Sequence, residues 1–150
     1  MGYDFGVGRE APTFTLTAVD GSQIKLSQYR GDWFPVLAFV PCRAAGAADA
    51  LNELGRAATA LWGLRGQVVG VCDAGRDECS ALAARVPDLA FPLLADDGSV
   101  ARQYGALRDD GAVRPMAFVI DRAGKIVWTG EGAAALTEEA LVAAFRQVVR

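Results

Sequence analysis

Two short, almost uninterrupted apolar segments, residues 34–40 and 67–71, constrain the fold of this chain more than any other feature. Each is bounded by turn-forming residues and has the length of a strand, which is typical of strands covered on both faces of a sheet. Between them, residues 45–64 repeat apolar side chains at helical spacing. A strand, a helix and a second strand in this order predict a parallel βαβ unit at the centre of an α/β fold.

The rest of the chain predicts further strands and helices around this unit. An N-terminal hairpin is indicated by two segments of alternating polarity, and a late hairpin by two apolar segments that flank a turn. Thr137 is the predicted N-cap of a final amphipathic helix. We expect one α/β domain over residues 1–150, with a mixed central sheet. The additional predicted strands lie at 14–17, 23–26, 91–94, 116–120 and 125–128, and a short helix lies at 76–85.

Composition excludes several classes of function. The 150 residues are 52% hydrophobic with a net charge of −3, and they contain no block of like charges and no apolar run long enough to span a bilayer. We therefore expect neither nucleic-acid nor membrane partners. The chain has no histidine, which excludes Ser-His and Cys-His nucleophiles and His-ligated metals. Three cysteines without framework spacing predict a reducing, cytoplasmic location, with no metal site and no cofactor.

Five segments run in order from a Val-Gly-Arg-Glu-Ala-Pro opening to a Phe-Val-Ile-Asp-Arg-Ala-Gly-Lys-Ile hairpin near the end of the chain. In sequence and order they resemble the peroxiredoxins of the alkyl hydroperoxide reductase/thiol-specific antioxidant (AhpC/TSA) family. This resemblance implies a thioredoxin-like, peroxiredoxin-type three-layer sandwich, in which helices flank a mixed sheet and an N-terminal hairpin precedes them. The segments are residues 7–16, 26–31, 68–71, 91–96 and 118–126.

The same resemblance locates the active-site loop and shows what is missing there. The family motif Pro-x-x-x-Thr/Ser-x-x-Cys, counted from Pro41, assigns the hydroxyl position to Ala45 and the nucleophile position to Ala48. Neither methyl group can attack or bind a peroxide. Cys42 is the one thiol of this loop, and the neighbouring Arg43 could favour its thiolate. Cys42 is therefore the candidate catalytic thiol, and a residue without chemistry is the alternative.

Three residues outside the loop complete the candidate site. Cys79 lies where some peroxiredoxins carry a resolving cysteine, so the resemblance makes it a candidate partner of Cys42. Arg114 lies one place before the family's arginine position and could stabilise a thiolate or peroxide. Pro115 fits the place of the cis-proline in thioredoxin-like reductases, and a trans proline that opens a strand is the alternative. Cys72, at the end of a buried strand, is expected to be a core residue.

Three functions remain open from the sequence, the third of which is a protein-interaction module on the face around Pro115. The first is a peroxiredoxin-like protein whose peroxidatic site is degenerate and whose role is binding or regulation. The second is an active thiol peroxidase or thiol–disulfide exchanger that uses Cys42, with Cys79 as its partner. An active protein would have a peroxide or a thiol reductant as its partner. The resemblance also implies that the chain could form a homodimer.

Overall fold

The computed structural model describes residues 6–86 and 88–149, and its elements follow the predicted order. Residue 87 and the ends of the chain lie outside this description. The strands are β1 (Thr15–Ala18), β2 (Gln23–Lys25), β3 (Phe34–Val40), β4 (Gly66–Cys72), β5 (Leu93–Ala95), β6 (Met116–Ile120) and β7 (Ile126–Glu131). The α-helices are α1 (Ala47–Trp62), α2 (Arg76–Ala83), α3 (Ser99–Gln103) and α4 (Glu138–Val148), and short 3₁₀ turns cover Leu26–Tyr29 and Ala133–Leu136.

A single mixed sheet joins the seven strands in the order β2-β1-β5-β4-β3-β6-β7. The predicted βαβ unit is confirmed, because β3 and β4 pair in parallel and α1 connects them. Strand β5 extends the parallel part of the sheet, whereas the N-terminal hairpin and the β6–β7 hairpin add antiparallel strands at the two sides. This is the mixed sheet with flanking helices that the sequence predicts.

The central strands separate two apolar cores, which explains why they are apolar on both faces. On β3, Val36 and Ala38 contribute to the core that contains buried residues of α1, α2 and α4. Leu37 and Phe39 point to the opposite core, which α3 and the N-terminal segment cover. Adjacent residues of a strand face opposite sides of a sheet, so a strand between two helical layers must be apolar throughout.

Local signals in the sequence set the positions of the helices. The predicted N-cap is confirmed, since the Thr137 hydroxyl accepts a hydrogen bond of 3.2 Å from the Ala140 N–H at the start of α4. Helix α1 begins after Gly46, which follows the turn that leaves β3 at Pro41. Within the described ranges, none of the helices combines the length and apolar character that a bilayer span requires.

Candidate active site

The candidate site lies at the carboxyl ends of the parallel strands β3 and β4. In their register Val40 pairs with Cys72, the last residue of β4. Cys42 follows β3 by two residues, and Cys79 lies in the first turn and a half of α2, the helix that follows β4. Because the ends of parallel strands meet at one edge of a sheet, this topology brings three cysteines of distant sequence positions to one place. Their Sγ atoms all lie within 4.8 Å of one another.

The three thiols differ in accessibility. Cys72 and Cys79 are fully buried, both at 0% exposure, in the core beneath α1 and α2. Cys42 is only partly buried and packs against the edge of the same core. A molecule arriving from solvent therefore reaches Cys42 before it reaches the other two cysteines.

Cys72 is the central member of this cysteine triad. Its sulfur lies in disulfide contact with Cys42 and also with Cys79, across Cα–Cα distances of 5.7 Å and 6.1 Å. Both Cα separations are normal for a disulfide. One sulfur forms one disulfide at a time, so the two pairings are alternatives. In either pairing the third cysteine keeps a free thiol.

Backbone contacts hold the loop of Cys42 in place. The Cys42 N–H donates to the Asp73 carboxylate at 2.8 Å, which ties the loop to the residue directly after β4. The Cys42 sulfur lies 3.5 Å from the Val40 carbonyl oxygen, and the Cys79 sulfur lies 3.4 Å from the Ala74 carbonyl oxygen, so each cysteine has a carbonyl acceptor when it is reduced. The triad is thus built on a strand end, a helix and an anchored loop.

Arg43 is engaged with a carboxylate of α2. Its guanidinium makes two hydrogen bonds to Glu78, of 2.8 Å and 3.0 Å. The hydrogen bond from Arg43 lowers the pKa of the Glu78 carboxyl, and the bond to Glu78 raises the pKa of the Arg43 guanidinium. Both side chains are largely exposed, where such a pair contributes little to stability. Its effect here is to neutralise much of the positive charge beside Cys42.

The two positions that the resemblance assigns to peroxide chemistry follow Cys42 along the chain, one at the end of the same loop and one in α1. Ala48 is the second residue of α1, in the first turn of that helix, and is partly buried. Ala45 is exposed in the loop before the helix. The first turn of a helix is where exposed N–H groups and the helix dipole would stabilise a thiolate. The assignment of these two alanines to the family's nucleophile and hydroxyl positions rests on motif spacing and stays a prediction.

Arg114 and Pro115 lie directly before β6, which begins at Met116. The Arg114 guanidinium donates to the Gly105 carbonyl at 2.6 Å and forms an ion pair of 3.4 Å with Glu131. Its Nε is buried and finds no hydrogen-bond partner among the described residues. The described residues contain no cis peptide bond, so Pro115 opens the strand as a trans proline, which was the alternative left open by the sequence. Its carbonyl accepts the Gly132 N–H at 2.8 Å.

The contact of Cys72 with the other two cysteines was not predicted from the sequence. A cysteine at the end of a buried strand was expected to be a core residue, and Cys72 does belong to the core. It also contacts both other cysteines. The predicted parallel pairing of the two central strands could have revealed this contact. Such pairing places Cys72, which follows 67–71, beside the residues at the end of 34–40.

Comparison with known proteins agrees with this architecture. The model of the AhpC/TSA family matches residues 7–129. A Mycobacterium tuberculosis protein named as a peroxiredoxin is 35% identical over 133 residues, which cover 80% of this chain and 81% of that protein.

Two solved structures have the same fold at 26% sequence identity. The crystal structure of the peroxidoxin BcpB from Mycobacterium tuberculosis aligns with a TM-score of 0.83 over 97% of this chain and 99% of that chain. A thiol:disulfide interchange protein of the DsbE type from Chlorobium tepidum aligns with a TM-score of 0.74 over 95% of this chain and 99% of that chain. By its fold, by the extent of the family match and by its identity to a peroxiredoxin, this chain belongs to the AhpC/TSA family.

Proposed function

We propose that this protein is a thiol–disulfide oxidoreductase of the AhpC/TSA family in which Cys42 attacks the substrate and Cys72 resolves the mixed disulfide. The observation that carries the proposal is the cysteine triad, with three sulfurs within 4.8 Å and Cys42 as its accessible member. The thiol:disulfide interchange protein of Chlorobium tepidum, similar over 95% of the chain, supports exchange chemistry on this scaffold.

The reaction is a pair of exchange steps in which electrons and protons balance. The Cys42 thiolate attacks one sulfur of a substrate disulfide, forms a mixed disulfide and releases the other substrate sulfur as a thiolate. The Cys72 thiolate then attacks the Cys42 sulfur and releases the second substrate thiolate. The substrate gains two electrons, and the protein is left with a Cys42–Cys72 disulfide, which an external dithiol reductant returns to two thiols.

Peroxide reduction is less well supported by the surroundings of Cys42. The peroxidase chemistry of the family needs a hydroxyl and an arginine that hold the peroxide in line with the thiolate. Ala45 offers no hydroxyl, and Arg43 and Arg114 each pair with a carboxylate. We therefore propose that the peroxidatic position is vacant at Ala48 and that the redox function has moved to the triad.

Thiol peroxidase activity of Cys42 is the second candidate, and the 35% identity to a peroxiredoxin favours it. In that reaction the Cys42 thiolate attacks one peroxide oxygen, becomes a sulfenic acid and releases water or an alcohol. Cys72 or Cys79 would then displace water from the sulfenic acid to give a disulfide. The two candidates share a disulfide product and differ in their oxidising substrate.

A comparison of two substrates separates these functions. The reduced protein is given glutathione disulfide in one assay and hydrogen peroxide in the other, with dithiothreitol as the reductant and background rates subtracted. We expect turnover with the disulfide that is lost in Cys42→Ser, strongly reduced in Cys72→Ser and retained in the exposed control Ser80→Ala. Peroxide turnover that depends on Cys42 and exceeds disulfide turnover would instead establish the peroxidase.

Absence of Cys42-dependent turnover with both substrates would contradict the proposal. It would favour a binding or regulatory role for a chain that keeps the fold of the family without its catalysis. Circular dichroism of each variant confirms that a lost rate reflects the thiol and not the fold.

A further inference from the structure

The cysteine triad also has the composition of a metal site. The sequence predicts no metal site, because the separations of 30 and 7 residues between these cysteines match no metal-binding motif. The fold nevertheless brings the three sulfurs within 4.8 Å of one another, so a metal site does not require a sequence motif here. We infer that the reduced triad binds one Cu(I) ion through the three thiolates of Cys42, Cys72 and Cys79.

The number and type of ligands favour Cu(I) over other ions. Thiolates select soft ions such as Cu(I) and Zn(II), whereas Mg²⁺, Ca²⁺ and Mn²⁺ prefer oxygen ligands. Structural zinc is almost always bound by four ligands in a tetrahedron. Within the described ranges, the group contains three cysteines and no carboxylate, and the chain has no histidine. A site with three sulfurs is complete for Cu(I), which is stable with three ligands, whereas zinc would need a fourth ligand such as water.

The geometry permits a trigonal site once the disulfide is reduced. An ion about 2.3 Å from each of three sulfurs requires the sulfurs to lie about 4 Å apart, which is within the 4.8 Å limit of the triad. The Cα–Cα distances from Cys72 to Cys42 and Cys79 are 5.7 Å and 6.1 Å. The sulfurs now in disulfide contact with Cys72 would have to move apart to this distance on reduction, through rotation of the cysteine side chains.

Burial supports tight binding and selectivity. Cys72 and Cys79 are shielded from solvent at 0% exposure, so water has little access to their side of the ion. Cys42, partly exposed, lies on the side from which the ion would enter. Because thiols must lose their protons to bind, the affinity should increase with pH.

Metal binding and disulfide formation exclude each other in this site. Either disulfide of Cys72 consumes two of the three ligands, so oxidation should release the ion and reduction should restore binding. This inference does not depend on the proposed exchange activity, because the reduced triad could bind Cu(I) in a protein that catalyses nothing.

The test is an anaerobic titration of the fully reduced protein with Cu(I) buffered by bathocuproine disulfonate, whose colour reports the copper that the protein removes. We expect one Cu(I) per chain. Each of Cys42→Ser, Cys72→Ser and Cys79→Ser should weaken binding by more than about tenfold, since even residues that only support metal ligands cost 10–100-fold when changed. Ser80→Ala should bind like the unchanged protein, and protein oxidised with glutathione disulfide should not bind.

A second measurement on the unchanged protein does not require the variants to fold. Stoichiometric Cu(I) should protect all three cysteines from alkylation by iodoacetamide. Protection of two thiols with full alkylation of the third would overturn the three-thiolate site, as would binding to the oxidised protein. A preference for Zn(II) over Cu(I) in the same competition would overturn the choice of ion.

Discussion

The two disulfides available to Cys72 should stabilise the fold to different extents. Cys42–Cys72 closes a loop of 30 residues, whereas Cys72–Cys79 closes a loop of 7 residues. A cross-link lowers the entropy of the unfolded chain, and the loss increases with the length of the closed loop. Two variants isolate the pairings, because Cys79→Ser can form only the longer loop through Cys72 and Cys42→Ser only the shorter.

The chain-entropy relation gives the expected magnitudes. It predicts that oxidation stabilises Cys79→Ser by about 3.6 kcal/mol and Cys42→Ser by about 2.4 kcal/mol at 25 °C. The difference, 1.5RT ln(30/7), is about 1.3 kcal/mol before the two values are rounded and depends only on the ratio of the loop lengths. Each variant is compared with its own reduced form, so the cost of the serine substitution cancels.

Urea unfolding followed by tryptophan fluorescence, with and without dithiothreitol, measures both differences. Peptide mapping of the oxidised samples confirms which cysteines are joined. Equal stabilisation of the two variants, or a larger effect in Cys42→Ser, would refute the loop-length argument. An oxidised Cys79→Ser no more stable than its reduced form would show that Cys42 and Cys72 do not pair in the native fold.

Three further predictions test packing, capping and pH dependence by urea unfolding. Gly66→Ala should destabilise the fold by about 1–3 kcal/mol, because the new Cβ would lie 2.9 Å from a ring carbon of Phe145. Gly55→Ala in α1 is the control. No atom lies within 4 Å of its new Cβ, so this variant should be neutral or stabilising. Thr137→Ala should cost about 1 kcal/mol through loss of the α4 N-cap, and an unchanged midpoint would contradict the role of its hydroxyl. Burial raises the pKa of Tyr104 above its ordinary value of 10.0. The unfolded state therefore loses the Tyr104 proton first, and the free energy of unfolding should fall as pH rises above 10. Tyr104→Phe should show a smaller fall, and an identical pH profile of the variant would contradict this assignment.

The sequence predicts the elements of this fold well where burial determines the pattern. Strand β3 has the predicted bounds of 34–40, and α4 begins at the predicted N-cap, Thr137. The predicted end of a strand is less accurate where hydrogen-bond pairing with a neighbouring strand, and not burial, determines its length. Strand β7 continues to Glu131, beyond the predicted end at 128, because Glu131 pairs with Met116 across the hairpin. Backbone pairing of this kind leaves no apolar pattern to detect.

The candidate site was predictable in part. The structure brings Cys42 and Cys79 into one cluster, with Cys72 in disulfide contact with each of them. The resemblance makes Cys79 a candidate partner of Cys42, and a direct pairing of these two stays a prediction. It could not identify Cys72 as the residue that contacts both, because this depends on the register in which Val40 pairs with Cys72. Arg43 pairs with Glu78, and Arg114 pairs with Glu131. These contacts join residues that are distant in the sequence, so the residues around each arginine do not predict them.

We propose that Cys42, Cys72 and Cys79 form one redox site. Its most direct test is differential alkylation with peptide mass spectrometry, applied to the reduced protein after treatment with glutathione disulfide. We expect one intramolecular disulfide that includes Cys72, together with one remaining thiol per chain. Recovery of three free thiols after this treatment, or a disulfide formed only between chains, would contradict it.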